Sequence, residues 1–295
     1  MVIELLVTDQ PKKEICHDPD SHFWQMADKV NVKKSRFDKR NPETIPEADN
    51  SHVAMSVNLD ACINCNLCVR ACREVQVNDV IGMGNRGHTS QVIFDFNDPM
   101  GDSTCVSCGE CVQACPTGAL MESNLLDEKG KKVVKPDRKV DSLCPYCGVG
   151  CQLTYNIKGE KIVSVDGRDG PANNNRLCVK GRFGFDYIHN PERLTKPLIR
   201  KDGIPKDPKE RIDPLNPLSH FREATWDEAL DLAASKLLKI RDSKNGKKAL
   251  AGFGCAKGSN EEAYLFQKLV RTGFHNNNVD HCTRMCHASS VAALM

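Results

Sequence analysis

The chain has 295 residues, 40% of them apolar and 27% charged, the balance of an ordinary globular protein with room for two or three domains. Its formal charge of +2 gives no basic excess for nucleic acid, and no apolar run reaches the length that spans a bilayer. Sixteen cysteines, in a large chain with neither a basic n-region nor a twin-arginine signal near Met1, argue against a small secreted disulfide framework. They point instead to metal ligation in the cytoplasm.

Residues 1–56 are polar, with a basic stretch (Lys33, Lys34, Arg36, Lys39, Arg40) followed by Asn41-Pro42 and Pro46. They read as a solvated lead-in with little core of its own. Residues 57–123 form a block with an internal repeat. Cys62-Ile-Asn-Cys65-Asn-Leu-Cys68-Val-Arg-Ala-Cys72 is matched by Cys105-Val-Ser-Cys108-Gly-Glu-Cys111-Val-Gln-Ala-Cys115. Each half is expected to end in a short helix, with a strand at 91–96 between them and a basic linker at 129–132. A third block spans 139–200, where 153–157 and 161–165 flank Lys158-Gly159-Glu160 as a hairpin. The stretch from Pro205 to Pro217 is a connector. In the last block, 218–295, Thr225-Trp-Asp-Glu228 predicts a capping box and a helix with Ala229, Leu232, Ala233, Leu237 and Ile240 on one face. A buried strand is expected at 248–253, then the loop Gly254-Cys-Ala-Lys-Gly258. A second capping box at Ser259–Glu262 opens a helix to about Thr272, and a last helix starts near Ser289.

Both repeated runs read C-x2-C-x2-C-x3-C. Three closely spaced thiolates can cover three corners of a 4Fe–4S cube, and the fourth iron needs a distant ligand, which in two-cluster ferredoxins comes from the other run. On that pattern Cys62, Cys65, Cys68 and Cys115 hold one cluster, and Cys105, Cys108, Cys111 and Cys72 the other. The competing reading is a pair of zinc sites, but zinc knuckles want paired cysteines at each end. The third run, Cys144-Pro-Tyr-Cys147-Gly-Val-Gly-Cys151 with Cys178 further on, lacks the second knuckle of a zinc ribbon and suits a third cube. Cys255 is most simply a small buried residue. For Cys282 and Cys286, in His281-Cys-Thr-Arg-Met-Cys-His287, a reactive or metal-bound thiolate and a structural cysteine both stay open.

The fold class expected is mixed α+β and α/β: a ferredoxin-like domain with two 4Fe–4S clusters, a small β-rich 4Fe–4S domain, and the start of an α/β domain. The run 144–151 together with Leu177-Cys-Val-Lys-Gly-Arg-Phe-Gly184 resembles the N-terminal cluster domain of the molybdenum/tungsten bis-pyranopterin oxidoreductases. The stretch 277–294 resembles formate dehydrogenase more narrowly, of the NAD-linked cytoplasmic type.

That resemblance implies a Mo or W bis-molybdopterin guanine dinucleotide, with Cys286 as metal ligand and His287 handling the formate hydrogen. It places Lys180 between the third cube and the nearer pterin, although Lys180 taken alone reads as a solvated surface lysine. The loop from Gly254 to Gly258 falls where the dinucleotides bind, which would suit a helix N-terminus receiving phosphate. Formate is the implied substrate, and electrons would leave through three clusters to a flavin- or NAD-reducing partner subunit.

Relatives of this type carry a further cluster after a Leu-Val-x-Asp-His-Pro stretch. Here the histidine position holds Gln10, with only Cys16, His17 and His22 nearby, so that cluster is expected to be absent, as is the 2Fe–2S domain that often precedes it. The family's catalytic body continues well beyond Cys286, so the sequence reads as the N-terminal portion of a catalytic subunit. Two other readings are a nitrate reductase-type relative and a ferredoxin-like electron-transfer module without catalysis.

Overall fold

The structure is a computed structural model that describes residues 1–39, 46–207, 209, 211–285 and 287–295. Cys286, Arg40, Asn41-Pro42 and Pro208 of the connector lie outside the described residues. The chain divides into two compact units, one made of residues 1–144 and 151–185 and the other of 145–150 and 186–295.

The first unit begins with α1 (Val2–Thr8) and α2 (His22–Lys29), the latter capped by Ser21, whose hydroxyl accepts from Trp24 N. The sequence reading gave this lead-in little core of its own, and the structure gives it a small one. Val7, Cys16, Phe23, Trp24 and Ala27 are buried together, with Ile3 and Leu6 against them. Apolar residues at helical spacing on two short helices are enough to close a small core.

Next come β1 (Met55–Val57), α3 (Leu67–Arg70) with a π turn at Ala71–Val75, β2 (Ile81–Gly84), β3 (Gln91–Phe94), α4 (Glu110–Ala114) and β4 (Leu120–Glu122). Strands β1 and β4 pair antiparallel at the ends of the repeat, while β2 and β3 form an antiparallel hairpin within it. The core of this block mixes Met55, Val57, Leu59, Val69, Ile81, Phe94, Met100 and Leu120 with the thiols Cys68, Cys72 and Cys111. The cysteines are therefore part of the packing and not ornaments on its surface.

β5 (Arg138–Leu143), β6 (Gln152–Lys158) and β7 (Lys161–Gly167) make an antiparallel meander. The β6–β7 turn lies at Gly159, φ +58°, as the hairpin reading expected. Sequence reading missed β5, because Arg138, Lys139 and Asp141 hide an edge strand that buries little. Leu153 and Val165 are fully buried inside the sheet, and α5 (Val179–Phe183) closes the unit.

The second unit opens on β8 (Leu198–Arg200) paired antiparallel with β9 (Phe221–Glu223). Then follow α6 (Trp226–Arg241), β10 (Gly252–Gly254), α7 (Asn260–Lys268), β11 (Val279–His281) and α8 (His287–Leu294). β10 and β11 are parallel neighbours around α7, the opening of an α/β unit. Ser259 and Glu262 form a complete capping box. The box at Thr225 is only half made: Thr225 accepts from Glu228 N, but the Glu228 carboxylate pairs with Arg222 instead. The strand expected at 248–253 is shorter and shifted. Residues 246–249 form a 3-10 turn, and Phe253 is 81% exposed while Leu250 is buried. A two-stranded ribbon covers only one face, and a Cβ on Gly252 would meet Val270 and Phe266 at 2.6 and 2.9 Å, so the helix side admits no side chain there. The last helix begins at His287, two residues before the expected start. Among the described residues, no helix is long and apolar enough to cross a membrane.

Glu122, on β4, is buried, its Oε2 has no hydrogen-bond partner, and burial pushes its carboxyl up to about 7 against the pull of Arg182. An acid whose folded pKa lies above its unfolded one costs stability as pH rises through that interval. Glu122→Gln should therefore stabilise the protein, with a gain that grows by about 1 kcal/mol from pH 6 to pH 9 and flattens above pH 7. Urea unfolding across that range checks it, and a pH-independent difference would contradict it.

Candidate iron–sulfur and cofactor sites

The repeat is written in the backbone as well as in the cysteines. Asn64 and Asn66 take φ +51° and +62°, and Ser107 and Gly109, at the same offsets in the second run, take +57° and +72°. A left-handed residue turns the chain sharply, so successive N–H groups face the concave side of the loop. Asn64 N donates to Cys62 Sγ at 3.4 Å, and Ser107 N donates to Cys105 Sγ at 3.4 Å. Main-chain donors aimed at sulfur stabilise a thiolate, and hydrogen bonds of this kind tune a cluster's potential. Each loop then feeds its third cysteine into a short helix, α3 or α4.

The charged neighbours of four of these thiols come from both runs. Burial pushes Cys68 up to about 12, helped by Cys115, Cys62 and Cys65. Burial also raises Cys105 and Cys108, and each feels Cys72 of the other run. Cys111 is raised well above its ordinary value by burial, then by Cys108 and Cys105, then by Cys68 and Cys72, so the two sets adjoin. A small cavity is lined by Cys62, Cys65, Cys68 and Cys115 with Leu59, Val92, Pro116 and Leu120 around them. Four sulfurs within apolar walls, with N–H donors behind them, fit a 4Fe–4S cube. Among the described residues, no three His, Cys, Asp or Glu side chains converge on a single ion, and none of the fifteen described cysteines is in a disulfide.

In the third run, Cys144 N donates to Cys151 O at 2.9 Å across the end of the β5–β6 ladder. Cys178 is the N-cap of α5, and a Cβ on Gly181 in that helix would lie 3.6 Å from Cys144 Sγ. Cys144, Cys151 and Cys178 thus belong to the first unit, while Cys147 lies on the 145–150 segment of the second. Lys180 is exposed on α5.

In the second unit, the loop from Gly254 to Gly258 borders a cavity of about 620 Å³, together with Phe266, Asp280 and His281. Cys255 is exposed, not buried as its sequence context suggested, because it sits past the end of β10 with its Sγ accepting from Lys257 N. Cys282 Sγ accepts from Ala256 N at 3.2 Å. Ser259 N is bound by the Glu262 carboxylate and Glu262 N by Ser259 Oγ. Two of the loop's main-chain donors, Ala256 N and Lys257 N, are therefore already spent, as are Ser259 N and Glu262 N at the start of α7, where an acidic side chain caps the helix. As folded here the loop does not present the phosphate cradle expected of it, although the cavity beside it remains open. His287 is exposed at the start of α8, and Cys286 lies outside the described residues.

Where relatives are expected to bind a further cluster, the side chains have structural partners. Gln10 Nε2 donates to Ala61 O at 3.0 Å, Cys16 Sγ donates to Lys13 O at 3.2 Å, and His17 bonds Gly130 O and Asp60. Burial pushes the Cys16 thiol up to about 11.

Residues 61–119 match the 4Fe-4S dicluster domain, residues 137–190 the molybdopterin oxidoreductase Fe4S4 domain, and residues 193–294 the molybdopterin oxidoreductase family. The two adjoining matches liken residues 137–190 and 193–294 to domains of the molybdopterin oxidoreductases. It is 35% identical to "Probable oxidoreductase YjgC" of Bacillus subtilis, over 87% of this chain and 28% of that protein. It is 36% identical to a "Putative formate dehydrogenase" of Staphylococcus haemolyticus, over 80% of this chain and 26% of that protein. The chain thus spans about a quarter of the length of the curated relatives it matches. An NAD+-reducing [NiFe]-hydrogenase structure aligns with 23% identity and a TM-score of 0.36, over 41% of this chain and 52% of that one.

Sequence reasoning missed two residues of the site. Arg182 and Glu110 are both buried beside the second cysteine loop. The available signal was position: Arg182 falls one helical turn after Cys178, and Glu110 between two proposed ligands.

The crossed pairing is testable by substitution. Cys115→Ser should perturb the same paramagnetic signal as Cys62→Ser, and Cys72→Ser the same signal as Cys105→Ser. Each should lower the iron content by up to about four atoms. Electron paramagnetic resonance with iron analysis checks this, and signals that sort by run instead would reject it.

Proposed function

We propose that the chain is the N-terminal part of the catalytic subunit of a formate dehydrogenase, which oxidises formate to carbon dioxide and passes the electrons to an NAD-reducing partner. The observation that carries this reading is the succession in one chain of a dicluster domain, an Fe4S4 domain and a molybdopterin oxidoreductase domain. The names of the Staphylococcus relatives favour formate as substrate.

Twelve cysteines would hold three 4Fe–4S clusters. Cys62, Cys65, Cys68 and Cys115 form one set, Cys105, Cys108, Cys111 and Cys72 a second, and Cys144, Cys147, Cys151 and Cys178 a third. When bound, each cluster supplies a one-electron relay, and a Mo or W bis-molybdopterin guanine dinucleotide supplies the two-electron oxidation itself. The chain's own task is narrower. Cys68, Cys105, Cys108 and Cys111 must lose protons that burial holds on them, so cluster assembly should be favoured by rising pH. Cys286 would ligate the metal and His287 would stand ready to take the proton released from formate. Lys180 would offer a positive charge beside the third set. Gly254 and Gly258 would border the cofactor rather than cradle its phosphates, since Glu262 already caps α7.

The test uses the full-length native protein. It should contain Mo or W beside iron and reduce viologen with formate. Cys286→Ala should lower that turnover by at least about a hundredfold while leaving the iron content unchanged. Turnover with nitrate and none with formate would support a nitrate reductase-type relative, and iron without Mo or W would leave only an electron-transfer module.

A further inference from the structure

Arg182 is 1% exposed, and a guanidinium cannot shed its charge to ease burial. Its partners must therefore replace water, and they accept four hydrogen bonds from three parts of the first unit. Nε donates to the main-chain oxygen of Cys108 at 3.3 Å, and Nη1 donates to Gln113 Oε1 at 2.6 Å and to Val165 O at 3.2 Å. Nη2 donates to Glu110 Oε2 at 3.3 Å. Arg182 itself sits on α5, one turn after Cys178. A single side chain thus ties the helix that starts at Cys178 to the loop that carries Cys108.

Neighbouring amides brace the same junction. Gln113 Nε2 donates to Asn175 O at 3.1 Å while its Oε1 also accepts from Gly167 N at 3.0 Å. Gln76, just past Cys72, donates to Leu177 O at 3.3 Å. The fit has no slack on the loop side either. Gly109 combines φ +72° with a virtual Cβ 2.9 Å from Arg182 Cγ, so both its backbone and the approach of the arginine demand glycine.

We propose that Arg182 is a positioning residue between two clusters: it fixes the cluster held by Cys105, Cys108, Cys111 and Cys72 relative to the one that includes Cys178, and its charge favours the reduced form of the former. The proposal rests on the three-cluster reading above. Electron transfer falls steeply with separation, so a rigid link between ligand-bearing segments sets how fast two centres exchange electrons. A permanent positive charge that donates to a ligand's own carbonyl stabilises the extra negative charge a cluster gains on taking one electron.

The experiment is a dithionite titration of the full-length holoenzyme followed by electron paramagnetic resonance, each cluster taking one electron. The relevant signal is the one that Cys108→Ser perturbs. Arg182→Met should lower its reduced-to-oxidised ratio about tenfold at a fixed potential, which is 59 mV for a one-electron couple. The signal that Cys62→Ser perturbs should shift less than threefold. Arg182→Lys keeps the charge and should hold the ratio within threefold of the native protein, a rescue that a purely space-filling role would not give. If Arg182→Met yields no holoprotein, Glu110→Gln decides the matter, because removing the paired carboxylate should move the same ratio in the opposite direction. Full cluster occupancy with unchanged ratios in Arg182→Met, or in Glu110→Gln where that variant decides, overturns the proposal, as does Arg182→Lys behaving like the Met variant. Failure to find the cluster signals in the native protein would instead strike the three-cluster reading.

Discussion

Three cysteines spaced by two residues can cover only three corners of a cube, and the fourth corner has to come from elsewhere in the chain. In the 57–123 block the proposed pairing would meet that need reciprocally, with Cys115 lining the cavity of the first loop and Cys72 a charge neighbour of Cys105 and Cys108 in the second. Crossing the runs in this way ties the two halves of the repeat to each other, and β1 pairing with β4 at its two ends completes the closure. The left-handed residues at 64, 66, 107 and 109 serve the same constraint, since they curl each loop so that its N–H groups face the sulfurs.

The cost of this arrangement is visible in the thiols. Cys68 and Cys111 are buried among apolar side chains and beside other sulfurs, which holds their protons on. The surrounding elements are small, with strands of three or four residues and helices of barely more than one turn. Secondary structure of that length is weak by itself in water, so the proposed iron–sulfur bonds and the mixed thiol–apolar core would carry much of the block's cohesion. The β5–β6–β7 meander is different. It closes on Leu153 and Val165 like an ordinary small sheet, and it is joined to the cysteine block through a buried guanidinium. Removing one partner from such a buried pair costs about 3–5 kcal/mol, so this junction matters for stability as well as for the spacing of the two cysteine sets.

Local features were legible where one short stretch of sequence suffices. The hairpin at Gly159, the capping box at Ser259 and the helix after Thr225 all follow from neighbours within a few residues. Features that depend on distant partners were not. The core of the first thirty residues needed α1 to meet α2, and the half-made box at Thr225 needed Arg222 to draw Glu228 away. Phe253 faces outward because β10 has one strand neighbour and α7 on one side only.

The cysteine spacings by themselves pointed to the donor chemistry, because ligand geometry around a cube constrains residues that are close in sequence, while the crossed pairing was carried over from the two-cluster ferredoxin arrangement. The motifs around 144–184 and 277–294 determined the family resemblance. Only the tertiary structure could show that Arg182 spans four acceptors, that Glu122 is buried with an unpartnered oxygen, and that Ala256 N and Lys257 N in the loop from Gly254 to Gly258 are already taken. A buried charge or an orphaned oxygen is defined by what surrounds it. Those surroundings come from segments tens of residues apart, and no pattern within one segment encodes them.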